Sequence, residues 1–374
     1  MRTLFFFVAA VAIVGIAWNV SRDSAPDSEI STNLLFPELL ESVNDVNRMS
    51  IVSATTNVEL ARSNSGWVVS NRDDFPADIS KVRSTLLALS QTTALENKTS
   101  KPERYGKIGV NMPDSADSDS RLINVFTADE TKLAALIIGN KRSASQPGEA
   151  QYFVRQTDSE TALLVQGNLE LNADPIQWMD TDIVDIPAER VRSVTIGQNE
   201  ATPIVVSKQN ARENFSSLAN IPAGFTETSR SVVSSFGALL LGVRFDNVFS
   251  ADKFDGKPVR STSVLETFDG LRATIEQYDH EDSVVTRVRF AYDPELVEPI
   301  EPLPEEDPES ENKASESTTE PSVENAVDDL NEKVAKWLYV LPDYKNRLLA
   351  KKFDEMIKEQ EPPLSDGDSE PSGE

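Results

Sequence analysis

The sequence predicts an α+β protein: two duplicated units of antiparallel sheet plus amphipathic helices, after an N-terminal transmembrane helix. Three observations lead there. The opening residues are almost wholly apolar. The phrase "LENKTSKPERYGK" at 95–107 returns as "FDNVFSADKFDGK" at 245–257. Short alternating apolar runs, broken by polar turns, fill much of the remaining chain.

The N-terminal element comes first. After Arg2, residues Leu4 to Val20 run apolar with hardly a break. Seventeen residues of helix reach about 25 Å, slightly under a hydrocarbon core of about 30 Å. That length leaves an anchor and a signal peptide both open; Trp18, suited to the membrane interface, favours reading residues 1–20 as an uncleaved anchor. A cleaved signal with Gly15 and Ala17 at its processing site is the second reading, and a buried core helix the third. Arg2 favours a cytoplasmic N-terminus, so the expected location is a bacterial (Gram-negative) inner membrane, single pass, with the body in the periplasm. Residues 21–33 are a polar linker.

Residues 34–186 and 187–342 are expected to be the two units. The run "PADISKVRSTLLALS" places Ile79, Val82, Leu86 and Leu89 on one helical face, and "TETSRSVVSSFGALL" does the same 150 residues later. Eight of 26 positions match between 82–107 and 232–257, where chance gives about 1.5. Pro37, Pro187 and Pro342 each follow an apolar residue and precede an expected helix. "NRMSIVS" and "RSVTIGQ" are then equivalent first strands, with Ile51 and Ile196 in corresponding places. "TNVELAR" and "WVVS" make a hairpin through "NSG". "RLINVFT", "LAALIIG", "QYFVRQ" and "ALLVQG" continue the first sheet, and "TSVLETFD", "LRATIEQYD" and "VTRVRFAYD" the second. Within the repeated phrase, Asn97 and Asn247 are expected to satisfy local backbone groups, and Gly106 and Gly256 to supply a tight or left-handed turn.

Two segments stand apart. Residues 293–322, an acidic insertion in the second unit, carry eleven acids against Lys313 alone, and six prolines. Residues 359–374 form an acidic tail with six acids and no base. Neither can bury enough apolar surface to offset the entropy of ordering. Together they hold −16 of the formal charge of −26. That acidity speaks against nucleic acid and anionic lipid as partners, since both demand basic patches. Between them, Leu348, Leu349, Phe353, Met356 and Ile357 predict one amphipathic capping helix over 343–358. The chain has no cysteine, which excludes disulfides, thiolate metal sites, a cysteine nucleophile and an acylated lipoprotein anchor.

The phrases "LFPELLESVNDVNRMSI", "GWVV", "DISKVRSTLLAL", "KTSKPERYGKIGV", "LAALIIG", "YFVR", "DIPAERVRSV" and "WLYVLPDYK" resemble, in order and spacing, the bacterial family catalogued as domain of unknown function 4340. The resemblance runs from about Leu34 to Ile357, interrupted by the acidic insertion. It implies a membrane segment with an extracytoplasmic body, and some relatives are linked with auxiliary components of ABC-type transport or gliding-motility systems. The family has no agreed catalytic residues to carry over.

The residues themselves offer little chemistry. His280, the single histidine, sits in "YDHEDS", an expected hairpin turn, so a Ser–His–Asp site would have to use it. Asp114, Asp117 and Asp119 have the density of a calcium loop but lack its glycine and closing glutamate. Trp67, Trp178 and Trp337 suit sheet packing better than a sugar platform, and Lys107 and Lys257 suit a turn with a snorkelling stem better than an anion contact. No catalytic, cofactor or metal residues are assigned. The expected function is a non-enzymatic, membrane-anchored periplasmic accessory or scaffold protein. Its partner would be an inner-membrane protein, an ABC-type permease among the candidates, within a transport or cell-envelope assembly. The competing expectation is a periplasmic ligand-binding protein or a carboxylate-dependent hydrolase.

Overall fold

The computed structural model describes residues 33–114, 118–142, 150–197, 202–213, 215, 217–297 and 323–360. The expected anchor (4–20), most of the linker, most of the acidic insertion and nearly all of the tail lie outside them. Among the described residues no helix is long and apolar enough to cross a membrane. The described chain is mostly antiparallel sheet with a few helices, and it divides into two compact units. One is the chain up to Asn57 together with Ser80–Ala173; the other is Val58–Ile79 together with the chain from Asp174.

The first unit opens with α1 (Pro37–Glu41), where Pro37 occupies the first turn that needs no amide donor. Strand β1 (Val46–Val52) follows and buries Val46, Met49 and Ile51. The chain then makes the meander β2 (Asn57–Ser63), β3 (Gly66–Val69) and β4 (Phe75–Pro76), which from Val58 onward belongs to the second unit. It returns as α2 (Ile79–Ser90), burying Val82, Leu86 and Leu89 as periodicity predicts, while Ile79, expected on the same face, opens the helix and is exposed. Next come β5 (Thr93–Thr99), the single turn α3 (Tyr105–Ile108), β6 (Arg121–Thr127), β7 (Lys132–Arg142), β8 (Gln151–Gln156) and β9 (Ala162–Gln166). Their order is β1-β6-β7-β8-β9-β5, with every pair antiparallel. Alternate residues such as Ile123, Val125, Leu136, Val154 and Leu164 are almost fully buried, each contributing roughly 1.5–3 kcal/mol.

The second unit takes up β10 (Asp182–Val184), β11 (Val191–Ile196), β12 (Ile204–Ser207), β13 (Ser217–Leu218) and β14 (Phe225–Glu227). After α4 (Arg230–Ser235) and a 3-10 turn come β15 (Val243–Arg244), β16 (Asn247–Ser250), β17 (Ser261–Thr267), β18 (Leu271–His280) and β19 (Ser283–Tyr292). The last elements are α5 (Val323–Val334), β20 (Trp337–Val340), α6 (Asp343–Leu349) and β21 (Ile357–Glu359). The main sheet runs β13-β12-β11-β17-β18-β19-β20-β16, while β10 pairs β15 and β14 pairs β21.

Four expectations need correction. The helix foreseen over 343–358 ends at Leu349, because Ile357–Glu359 instead extend the edge of β14. Pro187 starts only a turn, with Arg190 N–H donating to its carbonyl before β11 begins. Gly106 is helical; the left-handed residue of that turn is Gly109, with φ of 72°, whereas Gly256 has φ of 76° as foreseen. The units part at Ala173/Asp174, ahead of Pro187, since β10 is tied by hydrogen bonds to β15.

Candidate functional site

The repeated phrase at 245–257 lies along the outer edge of the second unit's sheet. Asp73 and Asp74, in the turn before β4, are both left-handed (φ 55° and 59°), which turns the Asp73 carboxylate toward β16. It accepts the Ser250 N–H at 2.8 Å and a bond from the Lys253 ammonium. Burial alone would raise this carboxyl, but the bonds from Lys253 and Ser250 and the nearby Lys253 and Arg72 charges hold it below its ordinary range. Beside it the Phe75 ring meets Phe245 edge-on at 5.3 Å and Trp337 at 4.8 Å, and Phe245 stacks on Tyr339 at 5.3 Å. Phe75 is therefore an aromatic plug and Asp73 a polar latch on one sheet edge. Neither motif search nor periodicity could pair residues so distant in sequence.

His280 ends β18 beside the expected turn, paired with Ser283 of β19 rather than within the turn itself. Its ring is half-buried, edge-on to Phe249 at 4.6 Å and to Phe254 at 5.2 Å. The imidazole works there as one more aromatic packing group over the cluster of Phe254, Tyr278, Val285 and Leu338. Lys257 lays its ammonium 4.3 Å from the Phe254 ring, a cation–π contact with an exposed head.

In the first unit the matching phrase also serves a turn and an edge. Ser100 bonds Thr161 at 2.9 Å, and the Tyr105 hydroxyl donates to the Glu160 carbonyl. The Arg155 guanidinium covers the Tyr105 ring at 4.8 Å and donates to the Val110 carbonyl. Gly139 is required because a Cβ would sit 2.4 Å from the Ile108 carbonyl oxygen. Lys107 is exposed; Asn97 is exposed on β5, while Asn247 accepts the Val248 N–H.

Two lysines are buried without a carboxylate among their bonded acceptors. Lys208 donates to the carbonyls of Ala188, Glu189 and Ala211, and burial lowers its pKa. Lys345 on α6 donates to those of Ala238, Leu239 and Leu241, where the helical stretch begun by α4 ends, and burial pushes it down to about 8. Each ammonium gathers three backbone carbonyls, of which Ala188 and Ala238 also accept a backbone N–H. The first unit also has an open groove of about 300 Å³ between α1 and β7, lined by Phe36, Pro37, Glu38, Lys132, Ala135 and Asp158.

Trp67 and Trp178 are buried and Trp337 half-buried against Phe75, as packing aromatics should be. Asp114 and Asp119 are exposed in their loop, and Asp117 lies outside the described residues. The carboxylates that their surroundings shift, Asp73, Glu96 and Asp129, are all pushed down, the opposite of what a general acid needs. Among the described residues no group of three His, Cys, Asp or Glu could hold a metal ion.

These features define a mostly antiparallel α+β protein in which Asp73, Phe75, Lys208 and Lys345 join elements of the chain. The chain belongs to the family described as Domain of unknown function (DUF4340), which matches residues 67–273, more than half of its length. No curated protein and no solved structure matches it.

Proposed function

We propose that this chain is a non-enzymatic accessory or scaffold of an inner-membrane assembly, held at the membrane by residues 4–20 with its body in the periplasm. An ABC-type permease is the partner class. The body, on this reading, is one α+β unit written twice, and that repetition is the observation that carries the proposal.

Several details support the repeat. Strand order β1-β6-β7-β8-β9-β5 corresponds step by step to β11-β17-β18-β19-β20-β16. Leu34 bridges Thr93, and Val184 pairs Val243, each 150 residues on. Register shifts fall between Val46 and Arg48 and between Val191 and Ser193, again in corresponding places. The hairpins that follow use one turn: Thr127 donates to Asp129 and accepts from Thr131 N–H, while Thr267 donates to Asp269 and accepts from Leu271 N–H. The third turn residues, Glu130 and Gly270, are both left-handed. The residues that recur are spent on bulges, turns and edges, which suits a part that displays surface.

The groove of about 300 Å³ favours a second reading, a periplasmic ligand-binding protein. Crosslinking of intact cells, followed by identification of what co-purifies with the tagged chain, separates the two. Reproducible recovery of permease subunits supports the scaffold. Recovery of none, with a sugar or peptide bound in the groove, overturns it.

A further inference from the structure

The plug at Phe75 has an equivalent, and that equivalent is bare. This step rests on the repeat just proposed. Counting on by 150 residues, Phe75 at the start of β4 corresponds to Phe225 at the start of β14. The residue before each is left-handed, Asp74 with φ 59° and Gly224 with φ 85°. The chain direction afterwards also agrees: Asp78 N–H donates to the Trp178 carbonyl, and Thr228 N–H to that of Met356. Yet Phe75 is 8% exposed and Phe225 is 38% exposed.

The receiving edge shows the converse. In the second unit Phe75 rests on Phe245, which is 3% exposed. The corresponding residue of the first unit is Leu95, at an irregularity of β5, and it is 45% exposed. Ser100 stands where Ser250 stands, with Thr161 beside it where Trp337 would be. One copy of the plug is thus seated, one plug lacks a seat, and one seat lacks a plug. A two-member series cut from a longer one leaves these two loose ends.

We infer that Phe225 of one molecule docks on the Leu95 edge of a second copy of this chain, giving a head-to-tail contact. The occupant is a second copy because both halves of the joint are displayed by the same chain, and because the seated version within it shows how they fit. Such a contact is heterologous, so it closes into a ring or extends as a row. The polar latch does not carry over: Ala223 replaces Asp73, and Glu103 replaces Lys253. The joint therefore keeps its apolar anchor, lacks the ion pair, and is weaker than the one inside the chain.

The absence of cysteine makes the test clean. Full-length Phe225→Cys carrying a tag and untagged full-length Leu95→Cys are purified reduced in mild detergent, then oxidised with copper phenanthroline, each alone and the two mixed. The inference expects a dimer in the mixture at least tenfold above either variant alone, with a disulfide between positions 225 and 95 found by peptide mass spectrometry. A Phe225→Asp change in the chain that carries Leu95→Cys leaves the yield unchanged, since that chain only receives. A dimer formed equally by one variant alone means a symmetric contact and overturns the inference. So does no dimer, or a disulfide formed only within one chain in a Phe225→Cys/Leu95→Cys double variant. None of these outcomes touches the repeat or the scaffold reading, neither of which needs a second copy.

Discussion

Replacing Lys345 with methionine tests whether the buried cations are structural closures. The ammonium donates at 2.6, 2.8 and 3.2 Å to the carbonyls of Ala238, Leu239 and Leu241. Bonds from a charged donor contribute roughly 1.5–3 kcal/mol each. Against them stands the burial that moves the group from 10.5 to about 8, which at about 1.4 kcal/mol per unit costs around 3 kcal/mol. Methionine keeps the stem packing but leaves the Leu239 and Leu241 carbonyls without the ammonium, while that of Ala238 keeps the Leu241 N–H, so a net loss of about 2–3 kcal/mol is expected at pH 7. The pH dependence is the sharper criterion. The unfolded lysine holds its proton more tightly than the folded one, so between about 8 and 10.5 the unfolded chain binds more protons and wild-type stability rises relative to the variant. Urea unfolding of both proteins at pH 7, 8.5 and 10 measures this. A variant as stable as wild type at pH 7, or a stability difference that stays flat with pH, refutes the reasoning.

Further outcomes follow from other contacts. Gly139→Ala drives a methyl into the Ile108 and Gly109 carbonyls and should lower stability by more than about 3 kcal/mol, seen as a lower melting temperature of the first unit. Thr127→Val and Thr267→Val remove the same turn bonds and should cost similar amounts, about 1 kcal/mol each; a several-fold disparity by denaturant titration would count against equivalent turns. Asp73→Asn weakens the latch: with a depressed folded pKa, the wild-type advantage is present above pH 3.8 and disappears as pH falls through the folded value, so the two unfolding curves should converge in acid. Shortening 300–320 to a brief flexible link should change stability by less than about 1 kcal/mol. A melting temperature lowered by more than a few degrees shows that segment to be part of the body.

What could be read beforehand depended on the range of the interaction. Strands β6–β9 and β17–β19 were legible because their alternation is local, and α2 because Val82, Leu86 and Leu89 recur at helical spacing. The spacing misleads over 343–358 because Ile357 falls on an apolar helical face, whereas its backbone pairs with Glu227 far upstream. Trp178 and Trp337 both pack as their residue type suggests, yet in different settings: Trp337 opens β20, a main-sheet strand, and Trp178 closes a 3-10 turn before β10. The Phe75 plug left no sequence signal of its own. A lone aromatic between two turns says nothing about what covers it until the partner strand is known.

That Val58–Ile79 belongs to the second unit has a meaning in time. Phe75 leaves the ribosome long before Phe245 and Trp337, which lie 170 and 262 residues behind it. At about 5–20 residues per second, the wait for Trp337 is roughly ten to fifty seconds. Throughout that interval a hydrophobic ring and the edge of a meander have no native cover, and a chain released early would keep them bare permanently. Only completion of β20 brings Trp337 against the ring and closes that surface.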